Sequence, residues 1–207
     1  MSVAIILPAR LASTRLPNKL LLDRTGKTVL EHTIDRAKEA RAKYPHLFTT
    51  VRVACDDEKL IAAAKRGGVD AVMTRKDHQS GTDRIAEACA GLKEDIIVNL
   101  QADEPEINPD YIAKVAELLT LPEHELFGRK PANDAPMATL ATFIYDESTF
   151  RNPNVVKVVR NEFWNRALYF SRAPIPYSRD GSPLFQTNDG KHVFGLHHIG
   201  IYAYRRE

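Results

Sequence analysis

Arg10, Arg15 and Lys19 recur at intervals of four or five residues, with the hydroxyls of Ser13 and Thr14 between them and small Ala9 and Ala12 alongside. Cations, hydroxyls and free backbone N–H groups in one loop suit a polyanion, most simply a nucleoside triphosphate. Charge count alone would favour a solvated basic loop. The position of the loop favours binding. It follows Val3–Leu7, an apolar, partly β-branched run with the character of a strand buried on both faces, which Pro8 is expected to end. Ligands of open α/β sheets bind beyond the carboxyl ends of the strands.

Three further groups of residues carry potential chemistry. Gln101-Ala102-Asp103-Glu104-Pro105 follows another buried strand, Ile96–Leu100, so Asp103 is expected at the same sheet edge as Arg10. A carboxylate beside a triphosphate suits Mg²⁺, which takes one or two carboxylates and completes its shell with phosphate and water; Asp103 could equally be a turn residue. His78-Gln79-Ser80-Gly81-Thr82-Asp83-Arg84 reads as a helix start capped by Ser80 or Thr82, and the same loop offers Ser80, Gly81 and Thr82 to a base or ribose. On the last strand, alternation places His198, Gly200 and Tyr202 on one face and Ile199 and Ile201 on the other, consistent with a ligand pocket or with a solvated strand.

The secondary-structure elements around these groups alternate in period. Leu20–Leu22 reads as a short edge strand, and Val29, Leu30, Ile34, Ala37 and Ala40 share one helical face. Val51, Val53 and Cys55 alternate as a strand ending at Asp56-Asp57, whose carboxylates can cap a helix from Glu58 to Arg66 that Gly67-Gly68 stops. Val69–Thr74 follows as a strand, a helix through Ile85, Cys89 and Leu92 comes next, and after Ile96–Leu100 Asn108-Pro109 starts another helix. The pattern predicts an α/β fold of three layers with a mostly parallel central sheet. Residues 120–136 read as a linker or excursion, Met137–Tyr145, Val155–Val159, Ala167–Ser171 and His192–Tyr204 as strands, and Arg172–Lys191 as a surface loop.

Composition narrows the alternatives. The 207 residues, 43% hydrophobic and with a formal net charge of +2, predict a single domain spanning 1–207 and offer no global case for nucleic acid or membrane as a partner. Cys55 and Cys89 read as buried thiols, and a cytoplasmic setting fits them. No apolar run reaches membrane-spanning length. The chain contains no Gly-x-Gly, and Gly26-Lys27-Thr28 lacks the glycine five positions earlier that a P-loop requires, which disfavours dinucleotide and P-loop sites.

Pro8-Ala9-Arg10, Ser13-Thr14-Arg15-Leu16-Pro17, Lys19, the 78–84 stretch, Gln101 with Asp103-Glu104-Pro105, Asn152-Pro153-Asn154, Val156-Lys157-Val158-Val159, Tyr169-Phe170-Ser171-Arg172-Ala173 and His198-Ile199-Gly200-Ile201-Tyr202 together resemble the ordered motifs of the 3-deoxy-manno-octulosonate (KDO) cytidylyltransferases. The resemblance implies a Rossmann-like nucleotidyltransferase fold, usually dimeric, that makes CMP-KDO from CTP and KDO for lipopolysaccharide assembly. It implies that Arg10, Ser13, Arg15 and Lys19 hold the CTP phosphates and that Thr74 and Ser80 lie against the cytidine. Gln101, Arg172, His198 and Tyr202 would meet the sugar acid, and Asp103 would bind Mg²⁺. Two loop positions depart from the family, Asn18 for glycine and Leu20 for proline, and Asn accepts left-handed backbone better than most residues. Ala102 stands in place of a family glycine, and the family's C-terminal segment, with an Asp-Thr-Pro motif carrying a second Mg²⁺ ligand, has no counterpart up to Glu207. Rival expectations are a CMP-sugar synthetase of the sialic acid type, against which the 78–84 and 152–159 stretches argue, and a non-catalytic CTP-binding or dimerisation module.

Overall fold

The N-terminal apolar run is strand β1, Val3–Ala9, in which every side chain from Val3 to Leu7 is fully buried. The strand does not end at Pro8 but continues to Ala9, opposite Ala54 and Cys55, because proline lacks only the N–H and its carbonyl remains available to a ladder. The computed structural model describes residues 1–13, 16–120, 135–161 and 165–206. The expected linker at 120–136 lies almost wholly outside the described residues.

The chain forms two compact units, Met1–Ala138 with Ile201–Glu207, and Thr139–Gly200. In the first, β1 is flanked by two parallel neighbours, β2 (Phe48–Cys55) and β4 (Ile96–Asn99), and β3 (Asp70–Met73) adds to β2 in the same direction. The last residues of β10 (Gly195–Arg205) pair antiparallel to β4, Tyr202 opposite Asn99. Four strands therefore end on one side of this sheet, at Ala9, Cys55, Met73 and Asn99.

The helices follow from their caps and apolar faces. Thr28 and Glu31 form a reciprocal capping box for α1 (Val29–Lys43), whose Leu30, Ile34, Ala37 and Ala40 are buried as the spacing predicts. Asp57 caps α2 (Glu58–Arg66), which ends at Gly67. Ser80 and Asp83 form a second box at α3 (Gly81–Ala88). Asn108 accepts the Asp110 N–H at 2.9 Å at the start of α4 (Pro109–Thr120). One hydrophobic cluster joins Ala4 and Ile6 of β1, Ala54 of β2 and Ile97 of β4 to Ile85 and Ala88 of α3. Cys55 and Cys89 are buried free thiols that burial pushes up to about 11.

In the second unit, β6 (Lys157–Asn161) pairs antiparallel with β7 (Arg166–Ser171) on one side and with the start of β10 on the other, and β5 (Met137–Ile144) also pairs with β10. A short helix, α5 (Glu147–Arg151), capped by Asp146, leads toward β6. The stretch expected as a single strand, His192–Tyr204, is two: β9 (His192–Val193) and β10, parted at Phe194, whose N–H turns to Ile144 O. The expected surface loop 172–191 also contains structure, because Phe185–Gln186 (β8) pairs with β9 across a turn in which Gly190 adopts φ 83°.

Candidate active site

The segments beyond the four parallel strand ends carry most of the candidate residues. Arg10 is exposed immediately after β1, and the next backbone N–H, that of Leu11, donates to Asp56 Oδ1 at 2.9 Å. Ser13 is half-buried, whereas Arg15 lies outside the described residues. Asn18 adopts φ 54°, the left-handed conformation for which glycine is otherwise favoured. The chain then makes a 3-10 turn over Lys19–Leu21, closed by Leu21 N–H to Asn18 O at 2.8 Å, and not the edge strand expected at Leu20–Leu22. Local turn bonds that begin at a left-handed residue win here over a three-residue apolar run too short to fix its own pairing. The turn sends Lys19 Nζ to Asp103 Oδ2 at 2.7 Å, across a sequence separation of 84 residues.

Asp103 sits on a turn closed by Glu104 N–H to Gln101 O at 3.2 Å. The buried Thr33 hydroxyl of α1 donates to Ala102 O at 3.0 Å and so fastens that turn to the helix, a role with no motif in the sequence to announce it. Loss of hydration and the adjacent Asp103 carboxylate hold Glu104 above the usual carboxylate range. Gln101 Nε2 donates to Asn99 Oδ1 at 3.3 Å.

Ser80, Gly81 and Thr82 are exposed at the start of α3, and the Ser80 hydroxyl both accepts the Asp83 N–H at 3.1 Å and donates to Asp83 Oδ2 at 2.7 Å. Thr74 differs from them. It is buried, and its hydroxyl donates to Cys55 O at 2.9 Å and accepts from Arg84 Nη1 at 2.5 Å, which engages it within the fold. Asp56 was expected to help cap α2, but Asp57 alone does so; the Asp56 carboxylate turns to Leu11 and to Arg84 Nη2 at 3.0 Å. Two adjacent acids where one cap suffices were the available signal.

The residues expected to meet a sugar acid divide between the units: Gln101 and Tyr202 in the first, Arg172 and His198 in the second. Tyr202 lies opposite Asn99, its ring stacked on Tyr204, and burial raises its hydroxyl pKa. His198 packs edge-on against Phe170 at 4.8 Å between ring centres and lies 3.0 Å from Thr139 Oγ1. Burial, then the charge of His197, hold its imidazole pKa below the ordinary value. Arg172 is exposed, and its Nη1 donates to Pro153 O at 2.8 Å.

Comparison with known proteins agrees with this arrangement. A cytidylyltransferase family model matches residues 4–207. The 3-deoxy-manno-octulosonate cytidylyltransferase of Tolumonas auensis is 47% identical over 99% of this chain and 74% of its own length, and that of Herminiimonas arsenicoxydans 46% over 99% and 76%. Among solved structures, CMP:2-keto-3-deoxy-manno-octonic acid synthetase complexed with CTP superposes with a TM-score of 0.77 at 38% identity, covering 99% of this chain and 74% of that one. A likeness of this depth along the whole chain, over a sheet whose parallel strand ends gather the basic loop and the Asp103 turn, means that the chain belongs to the 3-deoxy-manno-octulosonate cytidylyltransferase family.

Proposed function

We propose that this protein is a CTP-dependent nucleotidyltransferase that converts CTP and KDO into CMP-KDO and pyrophosphate for lipopolysaccharide assembly. The observation that carries the reading is the 2.7 Å contact of Lys19 with Asp103, which joins the basic loop after β1 to the carboxylate turn after β4. In this reading the sugar 2-hydroxyl attacks the α-phosphorus in line and pyrophosphate leaves. Arg10, Arg15 and Lys19 bear on the triphosphate, Ser13 adds a hydroxyl, and the nucleoside end lies toward Ser80, Gly81 and Thr82. Such a transfer depends on positioning and charge neutralisation and requires no protein nucleophile. Thr74 supports the nucleoside side of the site through its backbone position, since its hydroxyl is engaged. Gln101 and Tyr202 of the first unit are assigned to the sugar acid.

The donor set fits Mg²⁺ accompanied by nucleotide. Asp103 is an exposed carboxylate with Glu104 beside it, and among the described residues no group of three His, Cys, Asp or Glu side chains could hold a metal unaided. Asp103 would hold the ion, and phosphate oxygens and water would complete its shell. When bound, the ion neutralises charge on the phosphates. A homodimer is supported by β7, the last strand of its sheet, which exposes Leu168, Tyr169 and Phe170 in succession. No helix among the described residues is long and apolar enough to cross a membrane. The two buried thiols fit the cytoplasm.

The test is pyrophosphate release by this chain with CTP, Mg²⁺ and KDO, beside a sialic acid control and a blank without sugar. Release with KDO alone is expected. Release with sialic acid and not KDO would replace the sugar assignment, and CTP binding without release would make the chain a nucleotide-binding module.

A further inference from the structure

Asp56 and Arg84 form an ion pair at 3.0 Å that is almost entirely withdrawn from solvent, 8% and 3% exposed. A pair so buried offers little net stability over an apolar replacement, so its retention calls for another explanation. Its remaining bonds supply one. The second Asp56 oxygen accepts the Leu11 N–H at 2.9 Å, directly after Arg10. Arg84 Nη1 donates to Thr74 Oγ1 at 2.5 Å and to Arg75 O at 3.2 Å, and Thr74 Oγ1 donates onward to Cys55 O at 2.9 Å. One charge pair thus ties together the loop after β1, the end of β2, the end of β3 and the first turns of α3. These are the segments to which the phosphates and the nucleoside are assigned.

We propose that Asp56 and Arg84 are positioning residues for nucleotide binding: through Leu11 N–H and Thr74 they fix the basic loop and the β3–α3 segment in the arrangement that receives CTP. Neither is assigned a contact with substrate. The inference rests on the reading that the loop of Arg10 holds the triphosphate. Apolar packing could hold the strand ends, but it could not hold the Leu11 N–H, because a backbone donor is directed only by an acceptor.

The test uses the full chain and titrates CTP calorimetrically, with the urea midpoint and the exchange rate of the Leu11 amide measured in parallel. Three proteins are compared with the parent: Arg10→Ala, Asp56→Asn, and the paired apolar replacement Asp56→Leu with Arg84→Met. Arg10→Ala is expected to weaken CTP at least tenfold. Asp56→Asn is expected to weaken CTP at least tenfold and to speed Leu11 exchange. The paired replacement, in which no buried charge is left alone, is expected to keep a urea midpoint near the parent's while CTP affinity still falls at least tenfold. A purely structural pair would lose and regain affinity together with stability, so parent-like CTP binding in the paired replacement overturns the proposal. Parent-like binding in a folded Asp56→Asn does the same; if that variant fails to fold, the paired replacement decides. If Arg10→Ala binds CTP like the parent, the reading of the site fails, and this proposal falls with it.

Discussion

Among the described residues each unit of the protein buries one long cation, Arg84 in the first and Lys157 in the second, and the two are solvated in opposite ways. In the first unit, Arg84 meets a carboxylate, Asp56, together with a hydroxyl and a carbonyl. In the second, Lys157 is fully buried and its ammonium donates to three backbone carbonyls, those of Asn152 at 2.9 Å, Val155 at 2.7 Å and Arg172 at 2.6 Å. Three protons meet three acceptors, and no carboxylate shares in it. Burial, then the nearby Arg172, hold its pKa below the ordinary value. Each arrangement follows from what its cation holds together. The charge partner of Arg84 is a side chain, so the two can be replaced together, whereas Lys157 joins only segments of main chain, and no side-chain substitution can stand in for its acceptors.

The largest expected effect separates the two. Arg84→Met leaves Asp56 buried without its cation and should cost about 3–5 kcal/mol in urea unfolding, and adding Asp56→Leu should recover most of it. Lys157→Met leaves three carbonyls short of a donor, at about 1–3 kcal/mol each, and no second side-chain replacement should restore it. Recovery of Lys157→Met by an apolar neighbour would show that its carbonyls need no donor.

Two glycines, one in each unit, differ in the same way at smaller scale. A Cβ on Gly195 would lie 2.7 Å from Phe150 Cε2, so Gly195→Ala should destabilise the second unit by about 1–3 kcal/mol as the ring is displaced. On Gly81 it would meet only Pro8 at 3.5 Å, an ordinary contact, and an alanine there should be neutral or stabilising by about 0.4–1 kcal/mol. Equal urea midpoints for the two variants would remove the distinction.

The smallest effect is in acid. Burial tends to raise the pKa of Glu31, but its bonds from Thr28 and the charge of Arg66 outweigh this and leave it lowered. A carboxylate lowered in the folded state contributes stability that is present above the usual carboxylate range and is lost as pH falls through the folded value. Glu31→Gln should therefore flatten the acid limb of the first unit's stability. Asp146 of the second unit is lowered by its bonds from Ser148 and Thr149, but Asn caps about as well, so Asp146→Asn should change less near neutral pH. Acid titrations of the two variants, followed by circular dichroism, check the order.

These contrasts also mark what could be read from residue order. Strand β1, the caps at Asp57, Ser80 and Asn108 and the alternation of strands and helices were legible because each is set by a local period or a neighbouring side chain. The 3-10 turn at Lys19–Leu21 and the break at Phe194 were not, since a left-handed Asn18 and the Phe194 N–H bond to Ile144 override the local apolar pattern. Within the site, Arg10, Lys19 and Asp103 could be placed because parallel strands bring their carboxyl ends together. Thr33, and the Asp56–Arg84 link to Leu11, join residues far apart in sequence by hydrogen bonds that leave no periodic trace.

The Lys19–Asp103 contact has a consequence for ionic strength. With both side chains 42% exposed, the pair contributes at most about 1 kcal/mol and is readily exchanged. Salt that screens the attraction of the loop for a polyanion, over a Debye length of about 8 Å at physiological ionic strength, also loosens the internal contact that the polyanion must displace. The two responses oppose each other. Lys19 therefore has a counter-ion within the chain, and if the loop holds the triphosphate as proposed, the affinity for CTP should fall with added salt less steeply than the number of its cations would imply.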